Sequence, residues 1–130
     1  MRTMKTMVVV AAVAGLAAMG GAALAKGGGL DGKAFTVDSG EKGKPAGKEP
    51  EKLTFKDGKF HSAACDAYGF GDAAYTAHPA GAATAWEADT VSAKEGKIHW
   101  KGTAKGDTVE GSFVWSKPGQ PPIEYWFKSK

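Results

Sequence analysis

Cysteine is almost missing from this 130-residue chain: Cys65 stands alone, so no disulfide can form within it. Histidine is nearly as scarce, at three, and none of the Cys-x-x-Cys, His-x-His or His-Glu-x-x-His spacings that build common metal centres occurs. Charge of one sign is lacking too. The formal net charge is +3, two of those positives are Arg2 and Lys5 at the extreme N-terminus, and the other lysines are scattered among acids. Without a basic stripe, nothing points to nucleic acid. After residue 25 there is no long apolar run and no long amphipathic helical pattern, which turns attention to β-structure.

What is present begins with MRTMKTMVVVAAVAGLAAMGGAALA. Arg2 and Lys5 precede an apolar stretch that starts at Met7 and closes on Ala23-Leu24-Ala25, the order expected of a signal-peptide helix over residues 1–25 with cleavage before Lys26. Gly15, Gly20 and Gly21 interrupt a run already short for a membrane span. No cysteine follows the cleavage site for acylation, so no membrane anchor is expected afterwards, and the destination is periplasmic or secreted. The remainder, 26–130, is the size of one domain with a modest core. All four tryptophans, three tyrosines and six phenylalanines lie in it, enough to dominate that core.

Alternation broken by turn residues recurs along this part. In LTFKDGKFHS, Asp57-Gly58 supplies a two-residue turn that sets Phe55 against Phe60 on one face and Thr54 and His61 on the other. A second hairpin centred on Glu95-Gly96 sets Val91 against Trp100. A third, turning at Lys105-Gly106, sets Ile98 against Phe113, Trp100 against Gly111 and Lys101 against Glu110. Val109, Phe113 and Trp115 share a face, and Ile123, Tyr125 and Phe127 alternate with Glu124, Trp126 and Lys128. Segments 33–37, 74–78 and 83–93 bring the total to about eight strands, whereas 40–50 reads as a solvated loop. A meander of that length removes its edges by closing into an antiparallel up-and-down barrel, the expected all-β fold; a two-sheet sandwich is the rival. The proposed alternation leaves Trp86 and Trp126 off the core face.

The segments FKDGKFHSAACDAYGFG, WKGTAKGDTVEGSFVWSK and the terminal YWFK resemble a group of small exported bacterial proteins with a lipocalin-like, or calycin-like, barrel. The resemblance spans nearly all of 26–130 and implies a barrel with a potential central pocket. It implies no catalytic residues.

One stretch concentrates reactive side chains: HSAACDAYGFGDAAYTAH, residues 61–78, holds Cys65, His61 and His78. A metal reading takes those three as ligands, with Asp66 or Tyr68 in support, because thiolate and imidazole suit zinc or copper. A catalytic reading makes Cys65 a nucleophile activated by His61, His78 or His99, but no catalytic-cysteine signature surrounds it. The plainer reading makes Cys65 a small buried residue and uses Gly69 and Gly71 for backbone angles that fold Tyr68 and Phe70 back over one barrel end. His78, followed by Pro79, ends a strand, and His99 faces solvent beside Lys101. Tyr68, Phe70, Tyr75 and Trp100 are then the candidates to line a pocket for a small apolar or aromatic ligand. The expectation is a monomeric, exported, non-enzymatic binding protein with no cofactor. Its alternatives are a filled barrel that meets another envelope protein, and a metal protein using Cys65 and histidine.

Overall fold

Asp57 and Gly58 both take positive φ, 54° and 75°, as a two-residue hairpin turn twisted to match its strands requires. The register follows from that turn: Phe55 lies opposite Phe60 and Thr54 opposite His61, as the sequence predicts. The computed structural model describes residues 29–130, so the expected signal peptide, residues 1–25, lies outside the described residues. Eight strands follow in order: β1 Ala34–Glu41, β2 Glu51–Lys56, β3 Lys59–Ser62, β4 Ala73–Ala80, β5 Ala83–Ser92, β6 Gly96–Lys105, β7 Thr108–Ser116 and β8 Ile123–Ser129. Each pairs antiparallel with its sequence neighbours, and β8 returns to β1, closing an up-and-down barrel. A 3-10 helix, Ala63–Tyr68, opens the connection from β3 to β4.

Two hairpins differ from their expected registers. Between β5 and β6, Ser92 pairs with Gly96 and Thr90 with Ile98, so the turn has three residues, 93–95, and Gly96 takes φ 97°. That odd slip reverses the face of the whole β5 strand. Val91 is therefore 62% exposed, Thr90 is buried, and Trp86, expected off the core face, is 1% exposed at its centre. Between β6 and β7 the turn is Gly106-Asp107, with glycine at the first central position (φ 58°). Trp100 thus meets Phe113 rather than Gly111, Ile98 meets Trp115, and Lys101 meets Ser112. This slip is even, so the faces survive and Phe113 still points inward.

The barrel interior is filled by rings. Phe55 lies edge-on to Tyr75 and Trp86, each 4.9 Å away between centroids, while Phe60 packs 4.8 Å from Trp100 and Trp86 lies 5.9 Å from Phe127. Such tilted and edge-to-face contacts suit the ring quadrupoles. Gly102 and Gly111, paired across β6 and β7, make room for them: a Cβ on Gly102 would stand 2.9 Å from Phe127 Cζ and 3.1 Å from Trp86 Cε2.

The two barrel ends are unlike. The end bearing the 57–58, 81–82 and 106–107 turns is stoppered by Leu30, which is 3% exposed and whose N–H donates to the Tyr75 hydroxyl at 3.0 Å. That hydroxyl donates to Asp31 at 2.7 Å, and Asp31 accepts the Gly58 N–H at 3.0 Å. The other end carries the longer connections, including residues 63–72. The join between β3 and β4 is short, with pairing only at Lys59–Ala74 and Phe60–Ala73. β4 nevertheless runs on past His78 and Pro79 to Ala80, correcting the expected strand end. The Tyr75 N–H points toward Gly58, so by alternation Pro79 turns its backbone nitrogen to the same unpaired side, where a missing donor breaks no ladder bond.

Candidate functional site

At the end opposite Leu30 the ring-filled interior gives way to a half-open cavity of about 300 Å³. Its floor and far wall come from strand alternation: Ile98 on β6, Phe113 and Trp115 on β7, and Tyr125 on β8. Its near wall is the 63–72 connection, which contributes Cys65, Tyr68 and Phe70. Gly69 terminates the 3-10 helix at φ 83°, the left-handed conformation that glycine adopts without strain, and its N–H returns to the Asp66 carbonyl. The turn lets Phe70 bury itself while Tyr68 stays 60% exposed at the rim.

Aromatic stacking defines the wall. Phe113 lies 4.8 Å from Tyr125 at an interplanar angle of 9°, and Trp100 stacks on Phe113 from below at 4.3 Å and 29°. The polar groups of Trp115 and Glu95 beside this stack are paired. The Trp115 indole N–H donates to the Glu95 carbonyl at 2.6 Å, and the Glu95 carboxylate meets Lys117 Nζ at 3.1 Å. Burial pushes the Cys65 thiol above its ordinary range; its contact with the Ser62 hydroxyl pulls the other way, and the charges of Glu51 and Asp66 push it further up. Burial, then the charge of Glu41, likewise raises Tyr125. Neither side chain ionises at neutral pH, so the lining is apolar and uncharged where it is deepest.

The near wall is anchored from beneath by Glu51, a carboxylate at an inward position of β2 that is only 7% exposed. It accepts the N–H of Ala64 at 2.8 Å, its neighbour Lys52 N–H at 2.8 Å, and the Ser62 hydroxyl. Ser62 also lies 3.3 Å from Cys65 Sγ. On the other side of the helix, the Ser92 hydroxyl donates to the Tyr68 carbonyl at 2.7 Å.

Of the four residues that the sequence nominates for a pocket, Tyr68 and Phe70 line this cavity. Tyr75 does not; it points to the stoppered end. Trp100 lies one layer down, supporting Phe113. The other metal and catalytic candidates are likewise not brought together. His61 is on the outer face of β3 with Asp66 and Asp72, Cys65 faces the cavity, and His78 is exposed on β4. Among the described residues, no group of three or more His, Cys, Asp or Glu could hold a metal ion. His99 is on the outer surface, 2.8 Å from Asp89. Sequence reasoning missed Phe113, Trp115 and Tyr125 as lining residues. In a meander, connections alternate between ends, so 63–72, 93–95 and 117–122 must share one, and the inward aromatics of β7 and β8 nearest 117–122 are these three.

No family model, curated protein or solved structure matches the chain.

Proposed function

We propose that the domain is an exported, non-enzymatic binding protein that holds a small apolar or aromatic molecule at the mouth of its barrel. Export is supported by the basic, apolar and small-residue order of residues 1–25. The observation that carries the binding reading is the half-open cavity of about 300 Å³ faced by the stacked Phe113 and Tyr125 rings. Its volume lies at the small end of ligand pockets, whose typical range is about 300–1,000 Å³. Because the barrel centre is packed with rings, the occupant sits against the aromatic wall rather than down the axis. A flat ring continues the Trp100–Phe113–Tyr125 stack, while the Tyr68 and Tyr125 hydroxyls supply direction. Glu95 is held by Lys117, so the site favours uncharged molecules.

The test is titration with the neutral fluorophore N-phenyl-1-naphthylamine, followed by its emission and by tryptophan quenching. Saturable binding that Phe113→Ala weakens about three- to tenfold, the worth of one aromatic contact, is the expected result. Equal binding by the Phe113→Ala and parent proteins refutes the assignment of the site. Native mass spectrometry of protein recovered from the producing cell's envelope then identifies the retained molecule. A barrel that serves only to meet another protein carries no such mass and binds no probe.

A further inference from the structure

His61 is positioned to hold the near wall of the cavity from outside. It is the penultimate residue of β3, on the outer face opposite Thr54, immediately before the chain leaves for the 63–72 connection. Its Nδ1 lies 2.6 Å from Asp72 Oδ1 at the far end of that connection. Its Nε2 lies 3.1 Å from Asp66 Oδ1 and 3.2 Å from Oδ2, in the middle of the 3-10 helix. One imidazole thus ties the helix to the point where the chain enters β4.

Both partners are carboxylates, which only accept hydrogen bonds when ionised, whereas a neutral imidazole has a single N–H. The two-sided contact is therefore complete only in the imidazolium. Losing the proton turns one nitrogen lone pair toward a carboxylate lone pair, and the contact opens on that side. The Asp66 side is the longer of the two, and Asp66 is the immediate neighbour of Cys65 in the wall.

We propose that His61 is a pH-operated latch whose protonated ring closes the 63–72 connection over the cavity and whose neutral ring releases it. The latch itself follows from the outer-face geometry; its effect on ligand rests on the binding function proposed above. Burial draws the His61 proton affinity down, but the hydrogen bonds and charges of Asp72 and Asp66 outweigh it, lifting the imidazole above its ordinary value of 6.5. Closure is then complete below that value and is lost as the pH rises through the raised one. The other titratable groups on this outer face are Lys52 and Lys56 of β2 and Lys59 of β3; β4 presents Ala74, Thr76 and, beyond its pairing with β3, His78. Those lysines oppose protonation, but the two carboxylates are in direct contact with the ring. Inside, Glu51 and Ser92 keep the helix attached, so release loosens the wall without unfolding it. His99 makes a similar two-sided contact with Asp89 and Glu87, but both belong to β5, a regular strand with no loop to hold.

The experiment is a titration of ¹⁵N-labelled protein between pH 5 and 9. It follows the His61 ring nitrogens and the amides of Gly69 and Phe70, whose N–H groups return to the Asp66 and Cys65 carbonyls. The two amides are expected to move with the His61 midpoint. Asp66→Asn lowers that midpoint and His61→Gln abolishes the movement. N-phenyl-1-naphthylamine affinity falls about two- to fivefold across the same midpoint, the worth of one partly exposed ion pair. If the amides follow His61 and the probe does not bind at any pH, the latch stands and the binding reading falls. If the probe binds with pH-independent affinity and the amides ignore His61, the latch is overturned and the binding reading stands.

Discussion

Replacing Glu51 by alanine removes the acceptor shared by the Ser62 hydroxyl and the Ala64 and Lys52 N–H groups. A hydrogen bond to a charged group contributes about 1.5–3 kcal/mol. Three are lost here, but the Lys52 and Ala64 N–H groups are only part-buried and recover water, and the mutant no longer desolvates a carboxylate. The expected net loss is about 2 kcal/mol, against a total stability of about 5–15 kcal/mol for a domain. At a urea m-value of roughly 1–2 kcal/mol/M, the unfolding midpoint falls by about 1–2 M. Glu51→Gln keeps the shape, leaves its oxygen for the two N–H groups and lets its NH₂ donate to the Ser62 hydroxyl, losing only the charge, so its loss is smaller. Ser62→Ala completes a double-mutant cycle, in which a coupling above about 0.5 kcal/mol is expected between the two side chains. Because this network fixes the start of the 3-10 helix, probe affinity falls alongside stability. Additive Glu51 and Ser62 effects, with a midpoint shift below about 0.3 M, would refute the anchoring role.

The close approach of β6 to β7 makes Gly111→Ala costly: its Cβ would collide with the Lys101 carbonyl oxygen and stand 2.8 Å from Phe127 Cζ, a loss of about 3 kcal/mol by chemical denaturation. Gly71→Ala meets open space without a positive φ and costs about 0.5 kcal/mol or less; equal losses at the two sites would contradict the packing argument. Cys65, with its thiol raised by burial, is expected to react with a neutral alkylating reagent more slowly than the same chain in denaturant, with a rate still climbing above pH 8. A plateau below pH 8 would show a stabilised thiolate and sink the neutral-lining description.

The sequence carries the fold at the level of closure and, outside β5, of faces, because two-residue periodicity and frequent turns leave few arrangements of eight short strands. It carries register only where the turn chemistry is unambiguous. Asp57-Gly58 permits one two-residue turn, and the pairing of Phe55 with Phe60 follows. Glu95-Gly96 is compatible with both a two-residue turn and the three-residue turn observed, and the odd difference moved Trp86 from outside to the centre of the core. Gly106 fits either central position of its turn, and the resulting shift of two kept Phe113 inward. The site was half legible. Tyr68 and Phe70 were found from their glycine-flanked loop. Trp115 and Tyr125 were hidden because a cavity belongs to one end of a barrel, and the height of a residue along its strand depends on the registers. The hold of His61 on Asp66 and Asp72 was invisible for another reason: it depends on how a ten-residue excursion folds back on the strand it left.

The walls of this cylinder are not equally strong. Nine rungs join β5 to β6, two join β3 to β4, and the near side of the cavity hangs across that weaker seam. On the binding function proposed above, a molecule seeking entry would need to part only the least-laced pair of staves, while β5, β6 and β7 keep the aromatic bed in shape beneath it. Rigidity and give come from opposite flanks of one sheet, set by nothing more than a four-residue strand.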